Sequence, residues 1–418
     1  MKKILILGAN YIEIELVREA QALGVYTIVT DNRPNRADSP AKQVADEAWD
    51  ISWSDIDTLE KMCRLYQVNG VLAGYSEFRV DCMIQLCDRL DLPCSINAEQ
   101  LELTRDKIKY KRLCESYGLM TVPEYDCSEV IHYPVIIKPV DRAGSVGINV
   151  AYNKTELDYY YKEALSLSPS KHVVIEDFII DGTKFDVYYY VKSGVPYMLG
   201  NSDTIMCKGN EGAKILQKAW TFPSVYQQQF LEKYDDKVKR MLTGLGIHDC
   251  YVTMSAFYWK GDFYFFEAGF RLSGELSNHY YKAVSGINYY DVVINYSLGE
   301  KDETFFIDSN KLPIVYSVIL NYFGKDGIAD RVVDKSCLSK PELVAANYFI
   351  RKGEENNNKT KVFSKILMLT LCSDSLENLI DAVEGIDSNV EVMDCEHRDM
   401  VYERVTRLEL LPFLLRNL

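Results

Sequence analysis

Several things are scarce in this chain, and each scarcity excludes something. Five His among 418 residues leave little material for a multi-histidine metal centre. Eleven Cys is an odd number, scattered with no Cys-x-x-Cys pair, so neither a disulfide framework nor a zinc ribbon is expected. Reduced thiols in the cytoplasm are the default reading. No apolar run approaches the ~20 residues of a membrane span. Lys3–Leu7 is too short for a signal peptide and runs into Gly8 with no small-residue cleavage site. Basic residues are also short, 47 Lys+Arg against 61 Asp+Glu, for a net charge of −14. A protein that coats nucleic acid or anionic lipid needs a basic footprint, so both partners are excluded. A small anion is not, because its site depends on local charge alone.

What is present reads as a globular chain of two or three lobes. Hydrophobic residues make up 47% and charged residues 26%. In the first lobe, about 1–95, Lys3–Leu7, Val25–Thr30 and Gly70–Ala73 read as strands. Helical spacing over Tyr11–Leu23, Asp57–Tyr66 and Val80–Leu90 alternates with them, which implies a parallel sheet covered on both faces. Gly8-Ala9-Asn10-Tyr11-Ile12-Glu13 begins like a dinucleotide fingerprint but lacks its second and third glycines. A tight turn in a Rossmann-like lobe is the reading retained. Tyr75, Ser76 and Glu77, after the third strand, are weak candidates for substrate contact.

Further on, Thr104 is expected to cap a helix with Lys107 in its first turn. Tyr133–Pro139 is an apolar strand carrying Lys138, followed by a small-residue loop with Gly144, Ser145 and Gly147. Backbone N–H groups of such a loop can wrap phosphate oxygens while the lysine adds a point charge. It is no Walker A loop, since no Gly-Lys-Ser/Thr leads into a helix. Val173–Ile179 is another apolar strand, whose end at Glu176, Asp177, Phe178 and Ile179 can pair with and wall an adenine. Cys250–Tyr258 and Asp262–Phe266 read as a hairpin running into Glu267-Ala268-Gly269-Phe270-Arg271. A carboxylate at a strand end suits Mg²⁺, which takes one or two carboxylates plus phosphate oxygens. Arg271, four residues on, can clamp a phosphate or carboxylate. A helix is expected over Tyr226–Leu245. Beyond residue 300, strands are expected over Leu312–Tyr322, Ala345–Ile350, Lys365–Leu371 and Met400–Leu408, with a helix over Ser375–Val383.

Taken in this order, the segments resemble the ATP-grasp superfamily, in the branch with carbamoyl-phosphate synthetase, biotin carboxylase and L-amino-acid ligases. The stretch Glu-Ala-Gly-Phe-Arg-Leu-Ser-Gly leans toward the last. The resemblance covers about residues 1–300. It implies an α/β and α+β chain: a Rossmann-like pre-ATP-grasp domain (1–95), an ATP-grasp domain of two α+β subdomains (96–300, lid about 125–190) and a C-terminal α+β lobe (301–418). It implies an ADP-forming carboxylate–amine ligase with ATP and Mg²⁺ as cofactors. Lys107 and Lys138 would contact the phosphates, the loop would close over them, and Glu176 to Ile179 would hold the adenine. Glu267 would hold Mg²⁺, and Arg271 would stabilise the transferring group. Lys184 stands nearest the position of the family's ribose carboxylate. Ser255, twelve residues before Glu267, stands where the family has its first metal carboxylate, and Gly269 replaces an Asn. Either Glu275, Asp203 or Glu211 would then substitute, or the metal site would be impaired. The alternatives are a nucleotide sensor with impaired catalysis and a carboxylase or carbamoyl-phosphate-like enzyme. Expected partners are small carboxylic acid and amine substrates, with a homodimer interface one role for the last lobe.

Overall fold

Burial follows the apolar runs. Ile4, Leu5, Ile6 and Leu7 are wholly buried in the centre of a parallel sheet ordered Glu47–Trp49, Tyr26–Thr30, Lys3–Leu7, Gly70–Leu72. A computed structural model describes residues 1–130, 132–141, 146–208, 216–300, 313–358 and 364–415. Helices Glu13–Ala22, Ile56–Tyr66 and Glu77–Leu90 flank this sheet, as the spacing predicts. The third helix begins three residues earlier than its apolar periodicity, which puts Glu77 in its first turn. At the Gly8 turn φ is +100°, and a Cβ there would lie 2.0 Å from the Arg79 guanidinium. The place a dinucleotide pyrophosphate needs is therefore filled by this chain's own arginine.

A second, three-stranded antiparallel sheet has Val135–Pro139 between Asn149–Ala151 and Val173–Asp177, backed by helix Lys154–Leu167. The third sheet has eight strands, all antiparallel. Its order is Asp262–Gly269, Cys250–Trp259, Thr183–Lys192, Val195–Met206, Gln217–Phe222, Tyr316–Gly324, Ser364–Ser373, Leu343–Tyr348. Gln217–Phe222 pairs directly with Tyr316–Gly324, so one sheet runs from the middle of the chain into its C-terminal part. Tyr188, Tyr189 and Tyr190 are wholly buried in it, which is where a tyrosine-rich sequence places its bulk. No helix among the described residues is long and apolar enough to cross a membrane.

Three local expectations are corrected. Thr104 caps nothing; it lies in the last turn of helix Ala98–Arg105, which starts at an Asn97–Gln100 capping box. Asp106 caps the next helix, Lys107–Ser116, accepting from the N–H groups of Ile108 and Lys109. The helix expected over Tyr226–Leu245 is two, Gln227–Lys233 and Asp235–Gly244, parted at Tyr234. The closing strand over Met400–Leu408 does not form. Val401 makes an isolated bridge to Gly324, and Thr406 starts helix Arg407–Leu414 through a capping box with Glu409. That Thr-x-x-Glu signal was in the sequence and outweighs the apolar alternation before it.

Candidate active site

Asp106 fixes where the first lysine goes. By capping the helix it sets Lys107 at the first helical position, where a cation opposes the helix dipole. The Lys107 ammonium donates to the carbonyl of Val140 at 3.3 Å, just past the strand that carries Lys138. Burial lowers its pKa, and the charge of Lys138 lowers it further; Glu267, Glu176 and Asp141 act the other way. Lys107 therefore senses groups from both the three-stranded and the eight-stranded sheet.

Lys138 binds the Glu176 carboxylate at 2.6 Å. Lys111 binds its other oxygen at 2.8 Å and also reaches Glu124 at 3.0 Å. Burial opposes ionisation of Glu176, but the two ammoniums outweigh it and hold the pKa below the ordinary carboxylate value. The Glu176 side chain is thus part of the lysine cluster, through a partner, Lys111, that sequence reasoning missed. Along the hinge, Asp177 N–H donates to Pro123 and Phe178 N–H to Pro134, each at 3.2 Å. The Asp177 carboxylate is engaged by Tyr125 and His132. A ring docked here is left the backbone beyond Phe178 and the buried wall of Ile179. Gly147 has φ +75°, and a Cβ there would press Leu167 and Pro139 at 2.8 Å, so the loop's end lies tight on the strand. Gly144 and Ser145 lie outside the described residues, as does Arg142.

On the eight-stranded sheet a cleft of about 570 Å³ is lined by Glu77, Lys184, Asp186, Ser255, Glu267 and Arg271, among others. Cross-strand register explains the grouping: Ser255 lies opposite Asp186 on one side and Glu267 on the other. Asp186 accepts from the Ser255 hydroxyl, from the Lys184 ammonium, and from Thr204 at 3.3 Å. The Glu267 carboxylate is exposed and has no hydrogen-bond partner among the described residues. Arg271 donates to Glu77 at 3.1 Å, tying the cleft to the first lobe. Burial raises the Glu77 pKa against the opposing charge of Arg271.

Of the acids expected to stand in for a missing metal ligand, Asp203 is committed elsewhere. It accepts from the Ser224 hydroxyl at 2.6 Å and Val225 N–H at 2.7 Å. Glu275 lines the cleft, and Glu211 lies outside the described residues. Lys208 and Lys218 pair with Glu409, which joins the sheet to the last helix. Tyr75 spends its hydroxyl on Tyr290. Asp186 was missed because it sits inside an aromatic strand with no motif around it; only strand pairing brings it beside Ser255.

Lys365 was also missed. From the C-terminal part of the eight-stranded sheet its ammonium donates to the Gly274 carbonyl at 3.1 Å, at the edge of the cleft. Burial pulls its pKa from 10.5 to about 8, with Glu275 acting the other way. In the unfolded chain the proton stays on to the ordinary value, so between these limits the unfolded state binds more protons. Stability relative to a Lys365→Met variant should therefore rise as pH climbs through that window. Denaturant titrations at its two ends check this, and a flat or falling difference contradicts it.

Residues 116–193 match the D-ala D-ala ligase C-terminus family. A formate-dependent phosphoribosylglycinamide formyltransferase of Sulfolobus acidocaldarius is 27% identical over 265 residues, covering 59% of this chain and 65% of that protein. The chain thus spans just under two thirds of that relative's length. Among solved structures, the biotin carboxylase domain of 2-oxoglutarate carboxylase from Hydrogenobacter thermophilus, in complex with MgADP and bicarbonate, gives a TM-score of 0.78 at 19% identity. That likeness covers 100% of this chain and 94% of the other. An L-amino acid ligase from Bacillus licheniformis gives 0.76 at 18% identity, covering 94% and 99%.

Proposed function

We propose that this chain, which has the ATP-grasp fold, is an ADP-forming ligase that joins a carboxylic acid to an amine. The observation that carries the proposal is the position of Lys107, whose ammonium senses both Lys138 and Glu267. Lys107 from its helix, Lys138 from the three-stranded sheet and the Glu267 carboxylate, which has no hydrogen-bond partner among the described residues, thereby face a common space. Such a cluster suits a polyphosphate and its counter-ion, and a net charge of −14 does not prevent it.

In this reading Lys107 and Lys138 hold the phosphates of ATP, with the loop at 144–147 over them. The hinge from Glu176 to Ile179 takes the adenine, and Arg271 takes the acid. The donor set fits Mg²⁺: Glu267 offers the hard carboxylate oxygen this ion uses alongside phosphate oxygens. The ion would spread the charge that develops on those oxygens. The acid's carboxylate oxygen attacks the γ-phosphorus, and the bond from that phosphorus to the ADP oxygen breaks. The amine nitrogen then attacks the acyl carbon, phosphate leaves with the bonding pair, and nitrogen gives up a proton. Lys138 and Arg271 act by position and charge, which is most of what phosphoryl transfer asks of a protein.

The relative named for formate and phosphoribosylglycinamide supports an acid as small as formate and a primary amine. The L-amino acid ligase neighbour supports an amino-acid pair. A division into lobes 1–95, 96–300 and 301–418 goes with this reading, although the shared eight-stranded sheet makes the last boundary a continuous one. So do a cytoplasmic site and a homodimer. A second reading, nucleotide sensing with weak chemistry, draws support from the Lys184–Asp186 pair and Ser255. Phosphate release from ATP, screened over acids that include formate, bicarbonate and amino acids with amine partners, separates the readings. An acid–amine pair should stimulate release at least tenfold. Nucleotide binding without stimulation by any pair would favour the sensor, and stimulation by bicarbonate alone the carboxylase.

A further inference from the structure

Glu267 and Asp186 flank Ser255 in one cross-strand row, but only one of the two carboxylates is open. Asp186 is 2% exposed, and both its oxygens are engaged: one by Ser255, the other by Lys184 and Thr204. Breaking that set to admit a metal ion would leave a buried ammonium without its counter-charge, a costly state. Ser255 itself supplies a hydroxyl and no charge. Among the described residues no group of three His, Cys, Asp or Glu gathers as a metal site. The row therefore offers one open carboxylate, Glu267, with the Lys184 and Asp186 charges cancelling; Glu275 lines the cleft from beyond the end of the strand, where its charge acts on Lys365. Two divalent ions on that row would set four positive charges against the single carboxylate of Glu267.

Lys184 has the opposite character. Its side chain is 11% exposed and lines the cleft. Asp186 is its one hydrogen-bond partner among the described residues. An ammonium has three N–H groups, so donors remain for an anion. Asp186 holds it in place through the strand, two residues on, so little side-chain entropy is left to lose on binding.

We propose that Lys184, anchored on Asp186, is a fixed cation that takes a phosphate oxygen of the bound nucleotide, and that the cleft holds a single divalent ion, on Glu267. This rests on the nucleotide-binding function proposed above. It is tested on the full chain with Mn²⁺ and a non-hydrolysable ATP analogue, counting bound Mn²⁺ by electron paramagnetic resonance. One Mn²⁺ per nucleotide-loaded chain is expected. Two would overturn the inference and leave the proposed function standing, whereas no analogue binding would overturn both. The second arm measures analogue affinity without metal. Lys184→Met combined with Asp186→Asn removes both charges and orphans neither, which protects the fold. It should weaken binding about tenfold, the worth of one charge-assisted contact. Lys184→Arg should keep most of the affinity. Unchanged affinity in the double variant, or equal loss in the arginine variant, would mean that the pair serves structure alone.

Discussion

Replacing Arg79 with methionine is expected to cost about 3–5 kcal/mol of folding free energy near neutral pH. Glu13 is 1% exposed and Arg79 8%, and the two meet at 2.6 Å. Arg79 also donates to the Leu7 carbonyl, and Asn10 N–H donates to the second Glu13 oxygen. Burial raises the Glu13 pKa above 4.5, and the charge and hydrogen bond of Arg79 do most to hold it down. Without the guanidinium the carboxylate must either stay charged in an apolar setting or take up a proton. A carboxyl whose folded pKa is raised binds more protons folded than unfolded above its unfolded value, so its contribution falls as pH rises. Losing Arg79 raises the folded value further. The deficit of the variant should thus be small near pH 4.5 and grow as pH rises. Arg79→Met with Glu13→Gln should recover most of the loss, because no charge is then stranded. Denaturant unfolding of the three chains across that range checks it. A deficit under about 1 kcal/mol, or one independent of pH, would show that the pair is not the lock of the first lobe.

The second large effect is on turnover. Arg271→Lys should lower kcat about a hundred- to a thousandfold, the usual scale for removing a group that stabilises developing charge. Lysine keeps the charge but cannot hold Glu77 and an oxyanion at once with a planar fork. The guanidinium already spends Nε on Glu77 and one terminal nitrogen on the Leu272 carbonyl, so its plane is set before any ligand arrives. An effect on kcat with KM for ATP nearly unchanged is expected, since Lys107 and Lys138 bind the nucleotide in the proposed reading. Steady-state kinetics on the pair found by the phosphate-release screen would decide. A rise in KM for ATP with kcat intact would move Arg271 from the reacting centre to nucleotide binding.

The lysine on the apolar strand and the strand-end glutamate were readable, because each sits at the boundary of an element whose periodicity is strong; the helix start, expected at Thr104, lies at Asp106. The partners of the charged groups were not readable. Lys111 faces Glu176 from 65 residues away, and Glu77 faces Arg271 from 194. The last helix escaped because an apolar alternation over Met400–Leu408 masked a capping box.

By itself, the sequence determined most of the elements, their order and the chemical types at their ends, since periodicity and capping are local properties of a chain. Tertiary structure alone decided which charges meet. Strand register put Asp186 and Glu267 on either side of Ser255, and gave Asp186 to Lys184. Asp203 was removed from the site by a turn that consumed its oxygens, and Gly8 was closed to a dinucleotide by Arg79 arriving from another helix. The physical reason is common to the buried charges among these, Asp186, Asp203 and Arg79. A buried charge must find a partner, and pairing across strands and helices is set by packing distance, which sequence separation does not encode.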